Sequence, residues 1–135
     1  MKPRVLIVDD EEAIRSSLKM IFEYEGYEVL LAANAQAGLK IAESEDPDLV
    51  FLDIKMPQMD GMEVLKSLKE VEGSPPVVIL SGHGTVKTAV EATKLGAYDF
   101  IEKPPERERI LLVARNALSQ KRLREENRRL KLSFD

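Results

Sequence analysis

The stretch "VFLDIKMPQMDG", residues 50–61, decides the fold. Val50, Phe51 and Leu52 read as the end of a buried strand, and a carboxylate, Asp53, follows at once. Pro57 and Gly61 are turn-formers, and Asp60 is placed to cap the helix or close the turn beyond. An acid at the mouth of an apolar run is costly unless the fold uses it.

The same pattern repeats on either side. "RVLIV" (4–8), "YEVLLAA" (27–33), "LVFLD" (49–53), "VVILS" (77–81) and "YDFIE" (98–102) are short, β-branched and nearly continuously apolar. Between them lie helical spacings: Ile14, Leu18, Ile21 and Phe22, stopped by Gly26; Ala35, Leu39 and Ala42 behind an Asn34 cap; Val64, Leu65 and Leu68; then Val86, Val90 and Thr93, ending at Gly96. A last helical pattern runs from about Glu106 to Leu132, with Ile110, Val113, Ala114 and Ala117 turned to the sheet. Apolar strands alternating with amphipathic helices predict an α/β fold. It is a five-stranded parallel sheet with helices on both faces, doubly wound and flavodoxin-like. Residues 1–120 form one domain, and 121–135 extend the last helix as a linker or coiled coil.

Ligands of open parallel sheets sit beyond the carboxyl ends of the strands. There the first strand leads into Asp9 and Asp10, the third ends in Asp53, the fourth in Ser81, and the fifth leads to Lys103. Three carboxylates in one place repel unless a cation intervenes, and an oxygen-only donor set suits a hard ion such as Mg²⁺. Adding a hydroxyl and an ammonium makes a set suited to phosphoryl transfer, in which a carboxylate can serve as nucleophile.

Bulk properties narrow the classes. There is no cysteine, hence no disulfide framework. No apolar run approaches the ~20 residues of a membrane span, and a cytoplasmic protein is the expectation. Residues 121–131, "KRLREENRRLK", carry six basic and two acidic side chains, a local +4 that leaves −8 on the rest of a chain of net charge −4. An acidic body does not suit DNA or anionic lipid, and a basic tail reads first as a solvated helix face.

"VLIVDDEE", "VFLDIKMPQMDG", "VVILSGHG" and "GAYDFIEKP" together resemble the signature segments of bacterial response-regulator receiver domains. "SGHGTVKTAVEATKLGAYDFIEKP" (81–104) resembles most the nitrogen-regulator (NtrC/NtrX) type of sigma-54-dependent activator. The resemblance implies a two-component signalling domain rather than an enzyme acting on a separate substrate. Asp53 would accept a phosphoryl group from a sensor histidine kinase. Asp9, Asp10, Asp53 and the Lys55 backbone carbonyl would hold Mg²⁺. Ser81 and Lys103 would bind phosphoryl oxygens, and Ser81 with Phe100 would form the switch. Lys55 and His83 would flank the route of attacking water and tune dephosphorylation, while Lys103–Pro104 would be cis. Pro105 departs from the family, where Phe is common. Glu11 and Glu12 read either as the first helical turn or as metal-linked acids.

The resembled regulators continue into an AAA+ ATPase and a DNA-binding helix-turn-helix. The chain holds no G-x-x-x-x-G-K-[ST] loop, and its basic helix looks cut short at residue 135. Leu123, Asn127, Leu130 and Phe134 fall at d, a, d and a of a heptad, so a homodimer through this linker is expected. Two other readings are weighed. A haloacid-dehalogenase phosphatase wants an acid two residues past its nucleophile, where this chain has Lys55. A degenerate receiver kept for dimerisation would have lost an acid or Lys103.

Overall fold

A computed structural model describes residues 2–134 apart from Pro57, Gln58, Glu72, His83 and Gly84, with backbone alone at Met56, Met59 and residues 132–134. Strands and helices alternate: β1 (Arg4–Val8), α1 (Glu12–Tyr24), β2 (Glu28–Ala32), α2 (Ala35–Glu45), β3 (Leu49–Asp53), α3 (Gly61–Lys69), β4 (Val77–Ser81), α4 (Val86–Lys94), β5 (Asp99–Glu102) and α5 (Arg107–Phe134). The five strands form one parallel sheet in the order β2-β1-β3-β4-β5. The expected doubly wound architecture is the one observed.

Strand side chains alternate between faces, and helices cover both, which is why each strand reads as continuously apolar. Leu6, Val8, Val50, Leu52, Val77 and Ile79 face α2, α3 and α4. Val5, Ile7, Leu49, Phe51, Val78 and Leu80 face α1 and α5, meeting Leu18, Phe22, Ile110, Val113, Ala114 and Ala117. Each fully buried aliphatic side chain contributes about 1.5–3 kcal/mol.

Local signals act where the sequence puts them. The Asn34 side chain accepts a bond from the Ala37 amide at 2.9 Å, and Asp60 accepts one from Met62 at 2.9 Å. Gly26 and Gly96 take positive φ, 89° and 101°, just past α1 and α4.

Two features depart from the sequence reading. A two-residue antiparallel ladder, Lys55–Met56 against Met59–Asp60, follows β3. The apolar residues of α4 point outward: Val86 is 83% and Val90 47% exposed, and the residue α4 buries is Ala92. As expected for a last helix that extends past residue 120, α5 is unbroken there, and Lys121 is still half-buried against the body.

Gly61 has a steric reason. A Cβ there would lie 2.2 Å from Ile54 Cα, and the Gly61 amide bonds the Ile54 carbonyl at 3.1 Å. The first residue of α3 therefore packs backbone to backbone on the residue after Asp53.

Candidate functional site

Register brings the polar strand ends together. Val8 pairs with Leu52, so Asp9 emerges beside Asp53, and Ser81 pairs with Glu102, one residue before Lys103. Asp9, Asp53 and Ser81 are the buried polar side chains at the carboxyl edge.

Lys103 ties the cluster. Its Nζ lies 2.8 Å from Asp9 Oδ2, 3.0 Å from Glu11 Oε1 and 3.2 Å from Asp53 Oδ2. The Lys103 amide also donates to the Ser81 carbonyl at 2.7 Å, fixing the loop after β5 to the end of β4. The other oxygens are held by backbone: Asp53 Oδ1 accepts from the Lys55 amide at 3.0 Å, and Asp9 Oδ1 from the Glu11 amide at 2.9 Å.

These contacts set the charges. Burial pushes the Asp53 carboxyl up to about 6; the nearby Asp9 charge adds to this, and the Lys55 amide and Lys103 oppose it. Burial works against the Lys103 ammonium, but its contacts with the Asp9 and Glu11 carboxylates outweigh it and raise its pKa.

A cation fits this donor set. Carboxylate oxygens of Asp9, Asp10, Glu11 and Asp53 all lie within 4.8 Å of one another. Asp9 Oδ2 is buried and receives no aligned hydrogen bond from the described residues, its 2.8 Å approach to Lys103 being an ion-pair contact. Asp10 and Glu11 are exposed and give the cluster an open side.

The structure thus gathers Asp9, Asp10, Asp53 and Lys103, with Ser81 on the adjoining strand end. The Lys55 amide belongs to the site, while its side chain is exposed. Phe100 is half-buried opposite Ile79, against the cluster under α2–α4. Lys103–Pro104 is cis, as the resemblance implied. His83 lies outside the described residues. Leu123, Asn127 and Leu130 are exposed.

One participant, Glu11, is left between two roles by the sequence and reaches Lys103 across 92 residues; another, Arg15, escapes it and donates from Nη1 to the Asp9 carbonyl at 2.8 Å. Only their closeness in sequence to Asp9 could have flagged either.

A doubly wound sheet that gathers acids and an ammonium at its carboxyl edge defines an α/β domain with a charged rim where ligands of such sheets sit. Residues 5–115 match the family described as "Response regulator receiver domain". The nitrogen assimilation regulatory protein NtrX of Azorhizobium caulinodans is 44% identical over 129 residues, covering 94% of this chain and 28% of that protein. Among solved structures, NtrX of Brucella abortus superposes with TM-score 0.90 at 42% identity, over 96% of this chain and 30% of that one. A CheY-like receiver domain protein of Methanospirillum hungatei superposes with TM-score 0.87 at 34% identity, over 92% of this chain and 99% of that one. The chain belongs to the response-regulator receiver family of two-component signalling. It spans little more than a quarter of the length of the curated NtrX relative, at 28%. No helix among the described residues is long and apolar enough to cross a membrane.

Proposed function

We propose that this receiver is a phosphoacceptor switch in which Asp53 takes a phosphoryl group from a phosphohistidine of a sensor histidine kinase. The observation that carries the reading is the pairing of a buried Asp53 with Lys103 at 3.2 Å, inside a cluster of three further acids. Asp53 Oδ1 is engaged by the Lys55 amide, which orients the carboxylate. The P–N bond of the phosphohistidine breaks as a P–O bond to Asp53 forms, and the leaving imidazole recovers a proton. Lys103 and the Ser81 hydroxyl then receive phosphoryl oxygens, with Lys103 supplying a compact positive charge.

Asp9, Asp10 and Asp53, with the Lys55 carbonyl, would hold Mg²⁺. When bound, it neutralises charge shared between carboxylate and phosphoryl oxygens. The product is a conformational state rather than a released molecule, and self-phosphorylation and autodephosphorylation are the only chemistry. Ser81 drawn toward the phosphoryl group gives Phe100 room to turn inward, altering α4, β5 and α5. Lys55 and His83 set the lifetime of the phosphorylated state.

In the full-length protein, residues 121–135 lead from the receiver (1–120) to an AAA+ ATPase and a DNA-binding domain of a cytoplasmic sigma-54 activator. Leu123, Asn127 and Leu130 form the homodimer seam. This fragment does not itself bind nucleic acid. The test is intact-mass measurement after incubation with acetyl phosphate and Mg²⁺. One phosphoryl adduct is expected on the wild type and none on Asp53→Asn or in chelator. An adduct retained by Asp53→Asn overturns the assignment.

A further inference from the structure

The amino end of the sheet, opposite Asp53, holds a second charged site. A cavity of about 420 Å³ lies between α3, α5 and the Gly73–Pro76 loop that feeds β4. Its charged lining is Lys69, Lys121, Arg124 and Arg128 against the single carboxylate of Glu125. This is four cations to one acid in a chain of net charge −4. Lys121 is engaged, 3.1 Å from Asp48 and 3.9 Å from Glu125. Lys69 and Arg124 are different: among the described residues, neither has a carboxylate partner within ion-pair distance. The hydrogen bond that Lys69 makes among the described residues is a long 3.4 Å contact to the Pro75 carbonyl. Burial lowers the Lys69 pKa, and the nearby Arg124 charge lowers it further. A half-buried lysine with an exposed arginine lining the same recess is an arrangement that an anion relieves.

We propose that the recess between α3 and α5 binds a small polyphosphate anion through Lys69, Arg124 and Arg128. Three observations select the ligand. The recess is concave and falls within the about 300–1,000 Å³ typical of small-molecule sites, rather than being a flat patch suited to a protein. Its cations come from two elements, Lys69 on α3 and the arginines one turn apart on α5, so one anion can bridge the two. Guanidinium forks with a lysine point charge match phosphate oxygens, and the Ser74 side chain at the rim can add a hydrogen bond. A ligand here would join α3 and the loop before β4 to the part of α5 that leaves the body. That is an input to the exit direction of the helix which does not pass through Asp53.

The experiment is ¹⁵N–¹H NMR of the 135-residue chain in chelator. Tripolyphosphate and ATP are titrated separately. Saturable shifts at Lys69, Gly73, Ser74 and along 117–128 are expected. Lys69→Met and Arg124→Leu should each weaken binding by about tenfold or more, the loss typical of removing a charge-assisted contact. Equal affinity for the two probes assigns the site to phosphate groups alone; tighter ATP binding assigns it to a nucleotide. Shifts spread evenly along 122–131 and indifferent to Lys69→Met would mean simple attraction to the basic helix and overturn the site, as would no shift at all. Chelator keeps metal off the acidic cluster. Lys69→Met should still be labelled by acetyl phosphate, so failure at one site is distinguishable from failure at the other.

Discussion

Lys103 Nζ sits 3.2 Å from Asp53 Oδ2 across 50 residues of chain, and the same ammonium is 2.8 Å from Asp9. Two buried carboxylates share one cation, so neither is fully neutralised by it. The site is poised: it lacks positive charge in the resting chain and can accept either a metal ion or a proton.

The proton gives the first prediction. The folded Asp53 carboxyl is raised from 3.8 to about 6. Between these values the folded state binds more protons than the unfolded chain. Stability therefore falls as pH rises through that window and stays low above it. In chelator, Asp53→Asn should be more stable than wild type at pH 7 by about 2 kcal/mol, with the difference vanishing below pH ~4. Urea denaturation at pH 4, 5, 6 and 7 checks it, and a variant no more stable at pH 7 would contradict the strained-acid reading.

Lys103 gives the second. Removing the ammonium leaves Asp9 and Asp53 buried without their cation. Lys103→Met should cost about 3–5 kcal/mol in chelator, the range for breaking a buried ion pair. Mg²⁺ should restore much of that, because the same oxygens can hold the metal, and should stabilise the variant more than wild type. Thermal unfolding of both proteins with and without Mg²⁺ is the measurement. Equal metal-induced shifts would show that ammonium and metal do not compete.

The third concerns Gly61. A methyl group would meet the Ile54 backbone at 2.2 Å, and backbone cannot swing aside as a side chain can. Gly61→Ala should destabilise the fold by about 1–3 kcal/mol or more. It should also displace the Lys55 amide from Asp53, slowing labelling by acetyl phosphate beyond what lost stability explains. Labelling at the wild-type rate in folded protein would confine the glycine to packing.

Much of the site was legible in the sequence because strand ends are sharp events. An apolar run that stops at Asp53, or at Asp9 and Asp10, marks both the end of a buried strand and the rim where ligands sit. Topology does the rest, since parallel strands bring every carboxyl end to one edge. What stayed hidden depends on three-dimensional approach. Nothing local says that Glu11, next to the first turn of α1, reaches Lys103. Nothing in "MDG" says that Gly61 rides on Ile54. Helical spacing found the apolar positions of α4 but not that Val86 and Val90 face outward while the small Ala92 meets the sheet. In α5 the reading was easier: Ile110, Val113, Ala114 and Ala117 are apolar at helical spacing, and all four are buried.

Beyond Ala117 the character of α5 changes, and this underlies the last prediction. Leu123 is 61% and Leu130 53% exposed, one heptad apart on a helix that continues to Phe134. Lys121 marks where the helix leaves the body, held to Asp48 at 3.1 Å. Two leucines in water with Asn127 between them would take the d, a, d positions of a two-stranded seam, where an Asn at a favours that register. The seam covers barely two heptads, too short to be stable alone, since isolated helices below about 12–15 residues are marginal. Its pairing must borrow rigidity from the domain to which Lys121 anchors it. The expected outcome is weak, concentration-dependent dimerisation of residues 1–135, absent from a 1–120 truncation and from Leu123→Glu/Leu130→Glu. Asn127→Leu should strengthen it while loosening the choice of oligomer. Sedimentation equilibrium from low to high micromolar concentration distinguishes these cases. Monomer at every concentration would refute the seam, and an association that survives the double glutamate variant would place the dimer contact elsewhere.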